Sequence, residues 1–432
     1  METMSSPHPA SLWNATAPPP LNLPSLDRDI TVDCLIIGGG FTGLNAAWQL
    51  MKRGVDVCVV EANDAGWGAS GRNGGMAVLR YKHGWAALAD RLGDEAALLL
   101  HELVHNAVDG LEANVEELGL DGGFSRFGHI TAAHTTADTE ALQRDVEWLG
   151  THAGNFGPKV LSSGEMNEYV GTTAYVGGYL DMRSAGINPL AYARELAKAL
   201  VARGLPLYVS TPVTRIEKDG DTHIAHTPTG TVRTRTLIFA TNGYTDLFSV
   251  SGNLHKRIIP VNTSIVATSP LPDDIRAQIL PQGQLVTDTR HLVNYFRWGP
   301  GNRLIFGGRG SITSAESSDV YGGLERLLVK TFPVLQGVPI EFRWSGKVAV
   351  TLDDFPHVGQ YGPGAYFALG YGGRGVALSH LLGRLVAELS LGEPCNAGPM
   401  GNTLRPIPLH ACRLPAMSVV AACYRLRDLL RI

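Results

Sequence analysis

The stretch that decides the fold is "VDCLIIGGGFTGLNAAWQLMKRGVDVCVVEA", residues 32–62. It contains a short apolar strand, a glycine-rich turn, a helix over residues 41–52, and a second apolar strand closed by Glu61. Unbroken apolar strands of this kind are typical of a parallel sheet that is buried on both faces. The stretch therefore predicts a strand-helix-strand unit of the α/β class.

The glycine spacing in this unit predicts a dinucleotide site. Gly38, Gly40 and Gly43 follow the pattern G-x-G-x-x-G, which permits a tight turn, close approach to a pyrophosphate, and close packing of helix on strand. The helix N-terminus directs its amides and positive dipole end at the phosphates. Glu61 stands 18 residues after Gly43, where a carboxylate can accept hydrogen bonds from the ribose hydroxyls. Nicotinamide and flavin cofactors both remain open at this point.

The composition of the chain narrows the class of function. Its 432 residues are enough for two domains, or for one domain with insertions. Lysine and arginine number 36 against 40 acidic residues without a long basic run, so we expect no nucleic-acid partner. The five cysteines form no C-x-x-C pair and the 14 histidines no H-E-x-x-H, so we expect a reduced, cytoplasmic chain and no metal. No stretch has the roughly 18 apolar residues that a membrane-spanning helix needs.

Later segments bear on the choice of cofactor. Residues 66–76, "GWGASGRNGGM", form a loop of small residues whose backbone can press against a flat ring or a phosphate. Residues 365–389 repeat the glycine spacing, but no strand pattern follows that helix and Glu393 falls in a loop. This second motif therefore does not predict a nicotinamide site. Its helix N-terminus suits the pyrimidine edge of a flavin, where negative charge accumulates on reduction.

Four segments carry a family resemblance. They are "IIGGGFTGLNAAWQL", "EANDAGWGASGRNGG", "WSGKVAVTLDDFPHVG" and "ALGYGGRGVALSHLLGRLVAEL". These segments are similar to the D-amino-acid oxidase superfamily of FAD-dependent oxidoreductases, and nearly the whole chain resembles its branch with gamma-glutamylputrescine oxidoreductase and bacterial L-pipecolate oxidase. The resemblance implies FAD, a Rossmann-like FAD-binding domain, and a substrate domain whose antiparallel sheet roofs the flavin. Members that tether FAD use a cysteine just before a stretch similar to "TLDDFP"; "WSGKVAV" has none, so we expect non-covalent FAD.

We predict that the FAD-binding domain is discontinuous, built from residues 30–110, 155–250 and 340–392. The substrate domain would comprise residues 111–154 and 251–339. An extended N-terminal arm, 1–29, would dock only through Leu12 and Trp13. In the C-terminal extension, 393–432, a helix would either pack on the body or lie on a membrane surface.

The predicted site has a cofactor part and a substrate part. For substrate orientation we select Arg309 on the roof sheet, with Arg297 and Tyr295 in reserve, although a surface ion pair explains either arginine equally well. His357 could touch the flavin edge or be an ordinary loop histidine. The residues expected to hold FAD are Gly38, Gly40, Phe41, Thr42, Gly43, Glu61, Ala62, Gly68, Ala69, Ser70, Arg72, Asn73, Gly74, Gly75, Val213, Thr241, Gly346, Lys347, Gly373, Arg374, Gly375 and Val376.

The expected reaction follows from this cofactor. The enzyme would oxidise the C–N bond of an amine or an imino or amino acid, of the gamma-glutamyl-amine, polyamine or cyclic imino acid type, by hydride transfer to the flavin. The amine must be neutral, which desolvation favours, so we nominate no general base. Oxygen or an electron carrier would take the electrons. The alternatives are a flavoenzyme of the same superfamily acting on a hydroxy acid or a folate-linked substrate, or a flavin-binding partner subunit without turnover of its own.

Overall fold

The structure, a computed structural model, describes residues 7–154, 158–247, 252–309 and 318–430, without the side chains of residues 246, 247 and 309. Within these residues the helices are α1 (Leu12–Thr16), α2 (Phe41–Met51), α3 (Trp85–Leu92), α4 (Asp94–Leu118), α5 (Thr136–His152), α6 (Ser163–Val170), α7 (Pro189–Ala202), α8 (Asp273–Gln278), α9 (Ser318–Thr331), α10 (Gly375–Ser390) and α11 (Arg413–Leu430).

The strands belong to two eight-stranded sheets and one small pair. They are β1 (Ile30–Ile37), β2 (Val57–Val60), β3 (Met76–Ala77), β4 (His129–Ala133), β5 (Lys159–Ser162), β6 (Gly177–Asp181), β7 (Ala185–Gly186), β8 (Leu207–Tyr208), β9 (Arg215–Asp219), β10 (Thr222–His226), β11 (Thr231–Phe239), β12 (Ile259–Thr268), β13 (Leu285–Asp288), β14 (Tyr295–Gly299), β15 (Arg303–Arg309), β16 (Ile340–Val350), β17 (His357–Gln360) and β18 (Ala365–Leu369).

The first sheet has the order β17-β18-β11-β1-β2-β8, with the β9-β10 hairpin attached to β11. β1 lies at its centre and pairs in parallel with β2 and β11. Cys34 and Ile36 face the core that contains α2, α4 and α10, whereas Leu35 and Ile37 face a second core on the other side. The strand is thus buried on both faces, as its unbroken apolar sequence predicts. The result is a Rossmann-like unit with helices packed on one side.

The second sheet has the order β16-β12-β15-β14-β13-β4-β6-β5 and is antiparallel except for the parallel pair β4 and β13. Its strands differ from the predicted partition at two places. β5 and β6 lie in this sheet although residues 155–250 were assigned to the FAD-binding domain, and β16 pairs with β12 along its length although residues 340–392 were so assigned. Strand patterns in a sequence do not reveal the pairing partner, which is why the sheet to which these strands belong could not be predicted. The partition as a whole stays a prediction.

The N-terminal arm differs from the extended segment expected. Residues 12–16 form α1, which Ser11 caps by accepting a hydrogen bond from the amide of Asn14. Leu12 and Trp13 are buried as expected, and Leu26 is buried as well. Proline in the flanking segments does not prevent one helical turn once a side chain satisfies its free amides. The arm is therefore a docked strap.

α11 ends the described chain and has no buried residue. Its side chains at 413, 417, 421, 424 and 428 are partly covered, so this face of the helix rests on the body. Among the helices of the described residues, none is both long and apolar enough to cross a membrane.

Candidate active site

A single large cavity lies between the two sheets and is lined by residues from both. It holds about 1990 Å³ of empty space, its mouth included. Its lining extends from the glycine turn after β1 to the strands of the second sheet, a span that suits an extended cofactor together with a substrate.

The first glycine turn forms one wall of the cavity. A Cβ at Gly43 would overlap the carbonyl oxygen of Gly38, and a Cβ at Gly40 would lie 2.8 Å from Ser70 Oγ. Gly38 has a φ of +115°, which favours glycine. Ser70 Oγ accepts the Phe41 amide at 2.9 Å. The other amides of the first turn of α2 have no capping side chain, so they are available to a phosphate group.

Glu61 closes the same wall at the end of β2. Its Oε2 accepts the amide of Gly39 at 2.8 Å, and its Oε1 accepts the amide of Asn63 at 2.9 Å. Burial raises the pKa of the Glu61 carboxyl, and these two amides partly offset that shift. The carboxylate lines the cavity with lone pairs still available to the hydroxyls of a ribose.

The small-residue loop at 66–76 lies beneath the cavity, and Asn73 fixes its shape. The Asn73 amide nitrogen donates to the carbonyls of Ala69 and Ser70, and its Oδ1 accepts the amide of Gly75 at 2.7 Å. Arg72 points away from the cavity: its Nε donates to the Trp67 carbonyl at 2.8 Å and its guanidinium lies 4.2 Å from the centre of the Trp67 ring. Arg72 therefore shapes the loop and does not line the cavity, and its role toward the cofactor stays a prediction.

Two tryptophans support this loop from behind. Trp13 of α1 donates its indole N–H to the carbonyl of Asn73 at 2.7 Å, and Trp344 of β16 donates to the carbonyl of Arg72 at 2.9 Å. The two rings meet edge to face with centroids 6.2 Å apart. The strap and the roof sheet thus hold adjacent peptide groups of the loop.

The second glycine turn, at the end of β18, forms the opposite wall. Gly372 and Gly373 have positive φ, and a Cβ at either would meet no atom within 4 Å. α10 begins directly after them without a side-chain cap and lines the cavity with its first residues. Arg374 lines the cavity too; burial first, and Arg80 second, lower its pKa to about 10, so it carries a positive charge near neutral pH. A helix N-terminus and a cation both favour negative charge here.

The described residues after α10, 391–430, contain no strand. This agrees with the expectation that no strand follows the second glycine motif to close a dinucleotide site. Glu393 lies at the surface, where both carboxylate oxygens accept hydrogen bonds from Arg53 at 2.9 Å. It therefore has no contact with the cavity.

The predicted cofactor residues fall into two groups. Gly43, Arg72, Gly75, Gly346 and Lys347 do not line the cavity: Gly346 packs against Arg72, and Lys347 Nζ lies 5.8 Å from the centre of the Tyr244 ring. Those that line it are Gly38, Gly40, Phe41, Thr42, Glu61, Ala62, Gly68, Ala69, Ser70, Asn73, Gly74, Val213, Thr241, Gly373, Arg374, Gly375 and Val376. Their roles toward the cofactor stay predictions.

The three substrate candidates have different positions. Tyr295 lines the cavity, with its ring packed over Gly74. Arg297 does not: it is buried, and its guanidinium donates to the carbonyls of Ile187, Gly75 and Trp298. Arg297 therefore positions Gly75, and its role toward the substrate stays a prediction.

Arg309 ends β15, and its backbone pairs with that of Thr263, which lines the cavity. Its side chain lies outside the described residues, so its role as a substrate clamp stays a prediction. His357 is buried and does not line the cavity; its ring nitrogens contact the Asp353 carboxylate and the Asn402 carbonyl at 3.0 Å each. His357 is therefore a hydrogen-bonded histidine at the start of β17, in keeping with the alternative to a flavin contact.

The roof of the cavity contains residues that sequence reasoning missed. They lie on the segment after β3 and on the β13-β14 hairpin, and they are Val78, Lys82, Thr287, His291 and Val293. The Nδ1 of His291 forms a hydrogen bond with the carboxylate of Asp428, on α11, at 3.0 Å. No local pattern marks these residues, because a strand places them over the cavity only through pairing with distant strands.

The cavity fits FAD in its donor set and its shape. It has two uncapped helix N-termini, glycine turns that allow close approach, and a carboxylate held at the end of β2. The five cysteines all lie in the described residues and none of them lines it. The first wall would hold the dinucleotide, and α10 with Arg374 would face the flavin.

Comparison with known proteins agrees with this arrangement. A family model described as FAD dependent oxidoreductase, DAO, matches residues 33–389. Gamma-glutamylputrescine oxidoreductase from Escherichia coli K12 is 31% identical over 98% of this chain and 99% of its own. The probable oxidoreductase OrdL from Haemophilus influenzae is 32% identical over 86% and 85% of the two chains.

Solved structures give the same fold. Glycine oxidase from Geobacillus kaustophilus superimposes with a TM-score of 0.74 at 24% identity, covering 87% of this chain and 99% of that one. L-proline dehydrogenase from P. horikoshii does so with a TM-score of 0.72 at 21% identity, covering 87% and 96%. With its FAD-shaped cavity between a Rossmann-like sheet and a roof sheet, the chain belongs to the DAO family of FAD-dependent oxidoreductases.

Proposed function

We propose that the protein oxidises the C–N bond of an amine, or of an imino or amino acid, to an imine. The observation that carries this proposal is the continuity of the cavity: the walls suited to FAD open directly to a roof lined by Tyr295, Thr287 and His291. A substrate under that roof would lie against the flavin-binding wall. The relatives named above as oxidoreductases or oxidases of putrescine, glycine and proline compounds support a C–N bond as the target.

The residues of the chain would bind and orient the substrate while excluding water. The bound cofactor supplies the acceptor for the hydride that leaves the carbon. As the carbon loses this hydride and the nitrogen loses a proton, a C=N bond forms, which water hydrolyses afterwards. Tyr295, buried with a raised pKa, stays protonated and can donate a hydrogen bond to the substrate. Oxygen or an electron carrier then takes the two electrons.

We further propose that the substrate is of the gamma-glutamyl-amine, polyamine or cyclic imino acid type and that Arg309 anchors a carboxylate or another polar group on it. A bidentate guanidinium fixes a planar carboxylate better than an ammonium does, and hydride transfer depends on that orientation. The position of Arg309 at the end of β15, beside cavity residue Gly308, supports this choice.

The test is an anaerobic bleaching screen of the FAD-loaded protein. The panel contains polyamines, gamma-glutamyl amines, cyclic imino acids and amino acids, with alcohols, hydroxy acids and a folate-linked amine as separate arms. We expect one amine class to reduce the flavin within the time of a catalytic cycle. Reduction by hydroxy acids or folate-linked substrates alone would contradict the proposal, and a flavin reduced by none of them would favour a partner subunit.

A further inference from the structure

We propose that His291 is the proton acceptor for the substrate's ammonium group and that Asp428, on the C-terminal helix α11, positions it. This inference rests on the proposed function, since it concerns the nitrogen of the C–N bond. It assigns a catalytic role to a pair of residues separated by 137 positions in the chain.

The β13-β14 hairpin loop holds His291 over the cavity, and Asp428 binds that loop at three points. Its Oδ1 accepts the backbone amide of His291 at 2.8 Å and the ring Nδ1–H at 3.0 Å, and its Oδ2 accepts the amide of Leu292 at 3.0 Å. The carboxylate is only 13% exposed. α11 has no buried residue, and Asp428 is one of the side chains on its partly covered face. Such an arrangement orients one side chain precisely enough for chemistry.

These contacts determine the tautomer of His291. A carboxylate only accepts hydrogen bonds, so Nδ1 must carry the hydrogen and Nε2 of the neutral ring must carry a lone pair. Nε2 makes no hydrogen bond to another described residue. An acceptor nitrogen is therefore available at the cavity wall, and the carboxylate behind it stabilises the imidazolium that forms when it takes a proton.

Other ionisable residues around the cavity are unsuited to this task. Among the described lining residues, Lys82 and Arg374 are cations, and the tyrosines are kept protonated by burial. Glu61 can accept a proton but is held at the end of β2 by two backbone amides. On the roof side of the described cavity, His291 is the group whose ring offers an acceptor nitrogen.

The proton balance explains why an acceptor is needed. An alkylammonium has a pKa near that of lysine, about 10.4, whereas imidazole has about 6.5, so transfer in water is unfavourable by roughly four pKa units. Removal from water and the positive charge of Arg374, which also lines the cavity, both lower the pKa of the ammonium there. The proton passes to Nε2, the nitrogen lone pair forms the C=N bond, and the C–H electrons leave with the hydride.

Several other charged or polar groups lie around His291 and Asp428. On α11 the Tyr424 ring lies 5.1 Å from the His291 ring, beside Asp428. At the end of β4, His134 Nε2 lies 3.3 Å from the Asp428 carbonyl oxygen. Within the loop, Arg290 is paired with the buried carboxylate of Asp288 and so is directed away from His291.

The test measures anaerobic flavin reduction against pH with the amine found in the bleaching screen. His291→Asn keeps a donor for Asp428 but has no proton acceptor. We expect its reduction rate at pH 7 to be at least about 100-fold lower, and to rise about tenfold per pH unit because only amine that is already neutral reacts. In Asp428→Asn the inflection of the profile should move to lower pH, because the charge that stabilises the imidazolium is lost.

Arg427→Gln, next to Asp428 and exposed, is the control and should match the wild type in rate and profile. FAD content and the absorption spectrum of each variant establish that the site is intact. If His291→Asn does not retain FAD, the assignment is decided by whether the inflection of the pH profile moves to lower pH in Asp428→Asn. A His291→Asn profile like that of the wild type overturns the assignment alone, whereas a wild-type flavin that no amine reduces overturns the proposed function and this assignment together.

Discussion

Replacement of Glu61 by glutamine tests the first wall of the cavity. The two carboxylate oxygens accept the amides of Gly39 and Asn63 at 2.8 and 2.9 Å. Glutamine keeps one acceptor oxygen but removes the negative charge, so the charge-assisted hydrogen bond from a ribose hydroxyl is lost. Such a bond is worth about 1.5 to 3 kcal/mol, which corresponds to a loss of FAD affinity of roughly 10- to 150-fold. Glu61→Ala removes both acceptors and should lose at least as much.

The assay is a titration of the apoprotein with FAD, followed by flavin fluorescence. Glutamine also leaves one of the two backbone amides without its acceptor, so the melting temperature of the apoprotein is measured beside the affinity. The affinity change is thereby separated from folding. Glu117→Gln, on a surface carboxylate that pairs with Lys52, is the matched control. An unchanged dissociation constant in Glu61→Gln would refute the role assigned to this residue.

Four further results are expected. FAD affinity should fall as the pH decreases through the raised pKa of Glu61, because only the ionised carboxylate accepts the ribose hydroxyls; Glu61→Gln should show no such dependence on pH. Acid precipitation should leave the yellow colour in the supernatant, and colour in the pellet would contradict non-covalent FAD. NADH and NADPH should not bleach the flavin rapidly, since the second glycine turn lacks the closing strand and acid; rapid bleaching would show that this reasoning is wrong. Arg309→Lys should keep its FAD while its kcat/KM falls at least tenfold, about 1.4 kcal/mol; normal turnover would exclude the clamp.

The dinucleotide wall was predictable because its geometry is local. Gly38, Gly40 and Gly43 are close in sequence, and each meets a steric requirement that a Cβ would violate. Glu61 ends the next strand of the same sheet, so its position follows from the strand-helix-strand unit. Contacts within one such unit follow from spacing alone.

The roof of the cavity was less predictable because its residues depend on distant strand pairing. Tyr295 and Arg297 are two residues apart on β14 and were both reserve candidates for substrate orientation. Two residues along a strand lie about 7 Å apart, so neighbours on one face can reach different surroundings. Tyr295 lines the cavity, whereas the Arg297 guanidinium donates to the carbonyls of Gly75 and Ile187. Asp428 reaches His291 from the last described helix, and no spacing in the sequence connects the two.

The strap has a consequence for folding during synthesis. Trp13 is made more than 300 residues before Trp344, against which it packs. β1 is likewise made about 200 residues before β11, its parallel partner at the centre of the first sheet. Contacts so distant in sequence form slowly and late. The nascent chain must therefore carry an unsupported cofactor loop until Trp344 has been made, and we expect FAD to be captured only after that point.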